Sequence, residues 1–364
     1  MSACGLLENG GAGPSHFETA PVAATRCSAM HRRTFCGSVA CAFVAALPAV
    51  RAQQAAKVYR VGLVANAAPV SELAGPNPAG LTFRAFVHGL RALGYVEGQN
   101  LVLERRSAEG ISGRFDEIAA ELARLNVDVI VTASDTMTRA AHAASTTIPI
   151  VMTLGGDPVA GGLVQSLARP GGNITGLTFQ VGPEIDAKRL HLLREMLPGA
   201  SRIAFLANSE EGSWESPSGR SVRAAAQAMG LTLVRFEAAR DGYTDALRQV
   251  SLARVDALFA ARSSHAYVHR SLIVDFVTRS RLPSSFDNRD FIAPGGLMSF
   301  GANPTTNFAR AAGYVDRILK GAHPGDLPIE QPTKYELLIN LKTARALGLA
   351  IPRSLLLRAD ELIE

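Results

Sequence analysis

The sequence predicts an α/β protein of two doubly wound, Rossmann-like lobes joined by a hinge. Three observations carry this expectation. Apolar runs of strand length alternate with stripes of helical spacing from Val58 onward. Four landmarks recur in the same order in the two halves of the chain. Turns of small or polar residues follow the predicted strands, at the sheet edge where doubly wound folds hold ligands.

The repeat is the most specific of the three. Arg60-Val-Gly-Leu-Val-Ala-Asn66 matches Arg202-Ile-Ala-Phe-Leu-Ala-Asn208. Leu93-Gly94 matches Met229-Gly230, and Asn126-Val-Asp-Val-Ile-Val-Thr132 matches Arg254-Val-Asp-Ala-Leu-Phe-Ala260. Ile148-Pro149 matches Leu282-Pro283. The offsets stay between 128 and 142 residues, which implies two lobes of one topology.

In chain order, Val58–Ala65 is a β-branched strand ending at Asn66. Phe83, Phe86, Val87 and Leu90 form one helical face, closed by Gly94. Leu101–Glu104 alternates as a strand. Phe115, Ile118, Ala119, Leu122 and Leu125 make the next stripe, and Val127–Val131 a buried strand. Ser134 is placed to cap a helix carrying Met137, Ala140, Ala141 and Ala144. Ile148–Met152 is a strand, followed by Gly155-Gly-Asp-Pro158. Pro158 suits a first helical turn, with Asp157 as its cap or as a ligand contact. Val159, Leu163, Val164 and Leu167 predict a helix there, and Ile174–Phe179 the next strand.

The second pass starts near Asp186 with a helix carrying Leu190, Leu193 and Leu197. Strands at 203–207, 231–236, 255–260, 283–286 and 297–300 follow, with helices at 220–229 and 243–252. One long helix carries Val268, Leu272, Ile273, Phe276 and Val277, and a last one runs from about Thr305 to Leu319. The predicted organisation is 57–178 plus about 299–325 as the first lobe, and 179–298 plus about 328–364 as the second. Two such lobes close by hinge motion on a ligand between them. The turns expected to line that cleft supply Asn66, Ala67, Ser134, Asp135, Thr136, Gly156, Asp157, Asn208, Ser209, Ser263, Ser264, Phe286 and Asn288. Phe286 and Phe300 suit either ligand stacking or the core. Asp287 suits either ligand contact or a turn cap.

At 364 residues the chain is long enough for two cores, and 47% hydrophobic with 19% charged residues fits a soluble globular protein. The net charge of +5 is dispersed, without a basic run, so no nucleic-acid partner is expected. All four cysteines, Cys4, Cys27, Cys36 and Cys41, lie in the first 41 residues and form no Cys-x-x-Cys pair. Arg32-Arg33, an apolar run from Val39 to Val50 and Val50-Arg51-Ala52 follow the order of a cleavable export signal. The run is too short to span a membrane. Arg32-Arg33-Thr-Phe35 suits a twin-arginine signal, and a Sec signal fits as well. Met30 directly precedes the basic pair, so residues 1–29 read as a misassigned extension and 30–52 as the signal peptide. Ser38-Val39-Ala40 lacks the bulky apolar residue that a lipoprotein site at Cys41 requires.

From Tyr59 to the C-terminus the chain resembles the substrate-binding proteins of ABC transporters, in the family related to tryptophan-binding lipoproteins with the type I periplasmic-binding fold. The resemblance rests on Leu93-Gly-Tyr-Val-Glu-Gly-Gln-Asn100, Gly156-Asp-Pro-Val159, Ser166-Leu-Ala-Arg-Pro-Gly-Gly-Asn-Ile-Thr-Gly176, Gly295-Gly-Leu-Met-Ser299 and Gln331-Pro-Thr-Lys-Tyr-Glu336. Leu341-Lys-Thr-Ala344 and Ile351-Pro352 complete it. It implies a monomeric periplasmic receptor that delivers a small polar or aromatic solute, an amino acid or organic acid, to membrane permease subunits. It also implies ligand contacts from Ser134–Thr136, Asp157, Asn208 and the turn at 263–265. Relatives that bind aromatic amino acids carry an acidic Asp-Asn-type turn where this chain has Ser263-Ser264-His265. That departure favours an acid lacking the amine.

Other chemistries find little support. Gly155-Gly-Asp-Pro-Val-Ala-Gly-Gly162 is neither a P-loop nor Gly-x-Gly-x-x-Gly, so no nucleotide cofactor is expected. His265 and His269 lie four apart with no carboxylate or Cys companion, so no metal is expected. No Gly-x-Ser-x-Gly elbow or acid/base pair appears, and no catalytic residue is expected. Trp214 fits a surface aromatic or a cleft-edge lid. The competing reading is a two-lobed Rossmann-like enzyme such as a nucleotide-sugar transferase. A sugar-repressor-like regulator would need a helix-turn-helix where the export-like segment lies.

Overall fold

The computed structural model describes residues 57–111, 113–179, 182–208, 214–239 and 242–364. Residues 1–29 and 30–52, for which an extension and an export signal are expected, the four cysteines and Ser209 lie outside the described residues.

The first half contains β1 (Tyr59–Ala65), α1 (Val70–Leu73), α2 (Leu81–Ala92), β2 (Leu101–Ser107), α3 (Arg114–Arg124), β3 (Val129–Thr132), α4 (Asp135–Ala144), β4 (Ile150–Gly155) and β5 (Ile174–Thr178). Its parallel strands lie in the order β2-β1-β3-β4-β5. The second half contains α5 (Glu184–Met196), β6 (Arg202–Asn208), α6 (Pro217–Ala228), β7 (Thr232–Ala238), α7 (Thr244–Leu252), β8 (Ala257–Ala260), α8 (Ser264–Val268), α9 (Arg270–Arg279), β9 (Ser284–Phe286) and β10 (Met298–Gly301). Then α10 (Pro304–Leu319) returns to the first half, and β11 (Glu336–Asn340), α11 (Leu341–Leu347), α12 (Arg353–Arg358) and β12 (Glu361–Ile363) complete the second. The second sheet runs β12-β11-β10-β9-β8-β6-β7, with β11 antiparallel to β10.

Without β11 and β12, the two sheets have the same strand order, as the repeat predicts. The repeat extends to hydrogen bonds. Asp128 Oδ2 accepts from the Arg60 N–H at 2.7 Å, and the equivalent Asp256 Oδ2 accepts from Arg202 and Ser201 at 2.8 and 2.7 Å. In both halves the carboxylate pins the start of the first strand to the third.

Each sheet is buried on both faces. Alternate residues Val61, Leu63, Val129 and Val131 pack against Phe86 and Leu90 of α2 and Phe308, Ala311 and Val315 of α10. Val64, Ile130 and Ile150 pack on the opposite face against α3 and α4. In the second half, Phe205 and Phe259 face α5 and α6, while Leu206, Leu258 and Phe286 face α7 and α9. A fully buried side chain such as Leu90 contributes about 1.5–3 kcal/mol. Gly89 lets α2 and α10 approach closely. A Cβ there would lie 2.8 Å from Ala312 Cβ and 3.1 Å from the Ala309 carbonyl oxygen.

Three expectations need correction. The segment after Asp157 is not a helix. It makes single turns, with Gly161 N–H bonded to the Asp157 carbonyl, and Gly162 adopts φ +69°. The Gly161-Gly162 pair supplies little helix propensity, so Leu163, Val164 and Leu167 reach the core from irregular backbone. The helix expected across 268–277 is broken at His269 (φ −91°, ψ 16°) into α8 and α9, leaving Leu272 at the surface. Met298–Gly301 pairs with β9 and β11, so Ser299 and Phe300 belong to the second sheet rather than to the returning segment. β11 and β12 lie in a region read only through the resemblance.

Candidate functional site

A cavity of about 90 Å³ opens between the halves at the carboxyl ends of the strands. From the first half, Asn66 and Ala67 after β1, Phe83 of α2, Leu154 of β4, Phe179 after β5 and Phe308 of α10 reach it. From the second, Arg262, Ser263 and Ser264 after β8, Tyr267 of α8, and Asp287, Asn288 and Phe291 after β9 face them. The halves also touch beside the cavity. A Cβ on Gly110 would lie 2.6 Å from Val268 Cγ1, and one on Gly156 would lie 3.1 Å from Arg262 Nη2.

The cavity combines rings with two opposite charges. Phe83 and Phe308 meet edge-to-face at 5.4 Å, and Tyr267 and Phe291 do so at 6.4 Å. Among the described residues Arg262 has neither a hydrogen-bond nor an ion-pair partner, and the Asp287 carboxylate accepts no hydrogen bond from another side chain. Burial raises the pKa of Asp287 above the ordinary carboxylate range. The positive charges of Arg189 and Arg262 oppose that rise, and Asp186 adds to it. Tyr267 donates from its hydroxyl to Asp290 Oδ2 at 2.7 Å, and burial together with that carboxylate pushes the phenol pKa up.

Of the residues expected from sequence, Asn66, Ala67, Ser263, Ser264 and Asn288 line the cavity. Ser134 lies behind it, donating to Asn66 Oδ1 at 3.2 Å while capping α4 through the Met137 N–H. Asp135 holds the β4 turn, its carboxylate accepting from Gly156 N–H at 3.0 and 3.1 Å. Thr136 faces a smaller recess with Asn66, Phe115, Ser264 and His265. Asp157 is exposed and accepts from the Val159 and Ala160 N–H groups, closing the turn that stands where the sequence predicts a helix, and it does not line the cavity. Asn208 is buried at the end of β6, away from the cavity wall. Phe286 points into the second core and stacks on Phe291 at 4.5 Å, so Phe291 is the ring at the wall. Phe300 stacks on Tyr335 at 5.8 Å, outside the cavity.

Sequence reasoning left out Phe83, Phe179, Arg262, Tyr267, Phe291 and Phe308, and kept Asp287 open between two roles. Arg262 carried a usable signal, a lone cation two residues past an apolar strand and beside a predicted turn. The turn at 263–265 carries no carboxylate, as its sequence reads. The carboxylate at the cavity comes from Asp287 on the neighbouring strand end.

The model of the family "ABC transporter substrate binding protein" matches residues 78–363, and the chain belongs to that family. It is therefore an extracytoplasmic solute-binding component of an ABC transporter, a binding protein and not an enzyme. The chain is 24% identical over 266 residues to a tyrosine-binding protein of Clostridioides difficile, covering 73% of this chain and 76% of that one. A conserved domain protein from Vibrio cholerae superposes with a TM-score of 0.72 at 26% identity, over 84% of this chain and all of the other. A Streptococcus pneumoniae ABC domain in complex with L-Trp superposes with a TM-score of 0.71 at 22% identity, over 83% of this chain and all of the other. Both superpositions agree with the two-lobed α/β fold.

Proposed function

We propose that the cavity captures an α-amino acid with an aromatic side chain, Arg262 taking its carboxylate and Asp287 its ammonium group. One observation carries this reading: two opposite charges that have no ion-pair partner among the described residues face one cavity walled by Phe83, Phe179, Tyr267, Phe291 and Phe308. A guanidinium matches a carboxylate with paired N–H donors. A desolvated zwitterion needs both of its charges compensated, and apolar rings cover the remainder of the solute. The tyrosine-binding relative and the L-Trp complex support the same class. An organic acid without the amine would leave Asp287 unneutralised.

The lobes in this reading are 57–178 with the returning α10 segment, and 182–301 with 336–364, closing about the three points where the chain passes between them, before α5, before α10 and before β11. The protein acts as a monomer in the periplasm after loss of residues 30–52, and passes its solute to membrane permease subunits. Intact mass of the exported protein should place the new N-terminus near Gln53.

Isothermal titration with L-tyrosine, L-tryptophan and L-phenylalanine tests the ligand class, alongside tyramine and 3-(4-hydroxyphenyl)propionate. At least one amino acid should bind, and loss of either charged group should weaken binding by more than tenfold. Equal affinity for the des-amino acid would overturn the proposal.

A further inference from the structure

Behind the strand ends that carry Arg262 and Asp287 lies a guanidinium that the cavity wall does not include. Arg189 of α5 is fully buried. Its Nη2 donates to the Ala260 carbonyl at 2.8 Å and pairs with Asp186 at 3.1 Å, and its Cζ lies 4.1 Å over the Phe259 ring. Among the described residues, Nε and Nη1 have no hydrogen-bond partner. Burying a guanidinium with unsatisfied donors is costly, so the arrangement calls for a role beyond packing.

Register shows where that charge is felt. Phe259 of β8 is paired with Ser285 of β9, so Ser285 shares the sheet face over which Arg189 lies. Asp287 follows two residues later, and alternation returns it towards the same side just past the strand end. Ser285 Oγ is also buried and has no hydrogen-bond partner among the described residues. The Ala260 carbonyl that Arg189 holds is two residues before Arg262.

We infer that Arg189 is a positioning residue for ligand binding, fixing from behind the sheet both the Asp287 carboxylate and the strand end that presents Arg262. This rests on the ligand class proposed above. The charges facing Asp287 are Arg189 and Asp186 from α5 and Arg262 after β8. On its own segment, Arg289 is engaged by Glu336 and Glu361, and Asp290 by Tyr267. Arg189 therefore favours the ionised carboxylate that an ammonium group needs, and Asp186 works against it.

The test is the pH dependence of L-tyrosine affinity in the full chain, with 3-(4-hydroxyphenyl)propionate as the amine-free probe. Affinity for L-tyrosine should rise with pH through the Asp287 midpoint. Arg189→Met should move that midpoint up by about one unit, weakening binding about tenfold on its acid side, and should recover at higher pH. The amine-free probe should change little. Asp186→Asn should move the midpoint down. A structural role predicts instead that both variants weaken both probes at every pH, and that result overturns the inference. If Arg189→Met does not fold, Asp186→Asn decides alone: an unchanged or raised midpoint is refuting. If the wild type binds both probes equally, the ligand class fails. If it discriminates and neither midpoint moves, only the role of Arg189 fails.

Discussion

Replacing Asp287 with asparagine removes one negative charge from the cleft and preserves the shape of the side chain. In the proposed complex the carboxylate receives a charged hydrogen bond from the solute's ammonium group. Such bonds contribute about 1.5–3 kcal/mol, and removing one member of a desolvated charge pair costs about 2–5 kcal/mol. The asparagine oxygen still accepts a neutral bond, so the net loss should be about 2 kcal/mol, or roughly thirty-fold in affinity. Titration calorimetry with L-tyrosine reads this directly. The amine-free acid should bind no more weakly, because Arg262 then faces no internal competitor. The sign with pH is also fixed. Burial raises the Asp287 pKa, so the folded protein holds that proton more tightly than the unfolded chain. Its stability without ligand should fall as pH rises through the folded value, and Asp287→Asn should remove this slope. Unchanged L-tyrosine affinity with an intact slope would refute the reasoning.

Three further outcomes are expected. Arg262→Met should weaken L-tyrosine binding by about a hundredfold, in line with the loss of a charge-assisted pair, and leave tyramine nearly unaffected; equal losses for both would point to misfolding of the turn. Asn307 is buried in α10, and its Nδ2 donates to the Thr153 and Thr178 carbonyls at 2.9 and 3.0 Å. Asn307→Ala leaves both carbonyls short of that donor and should cost about 2–3 kcal/mol in urea unfolding. Asp256 accepts the Ser201 and Arg202 N–H groups, which hold its pKa below the ordinary value. Its contribution should be complete above about pH 4 and vanish as pH falls through the depressed folded value. The stability gap between wild type and Asp256→Asn should therefore close in acid, and a gap constant with pH would contradict the assignment.

Strand positions were legible because buried parallel strands leave short β-branched runs, and the repeat exposed the topology because Asp128 and Asp256 do the same local work. The helix after Asp157 failed for an equally local reason, since apolar spacing says nothing about the backbone of Gly161-Gly162. Strand ends pointed to Asn66, Ser263 and Asn288, which lie on the cavity wall. Helical stripes gave Phe83 as a core residue without revealing that it lies at the cleft end of α2. Phe308 lay within a predicted helix whose packing partner no stripe specifies, and α10 sits against α2 across more than 200 residues of chain.

The chain's own order of residues determined two α/β lobes of one topology and the strand-end turns that face each other. These are local and periodic properties, written as spacing and repetition. Tertiary structure alone decided which side chains share the cavity. Phe286 and Phe291 are both buried in the second core, and only Phe291, from the turn after β9, also reaches the cavity. The charges of Arg189 and Arg262 both act on Asp287 only because the tertiary fold brings α5 and the ends of β8 and β9 together. Coulombic coupling depends on distance and burial, and neither is a property of neighbours in sequence.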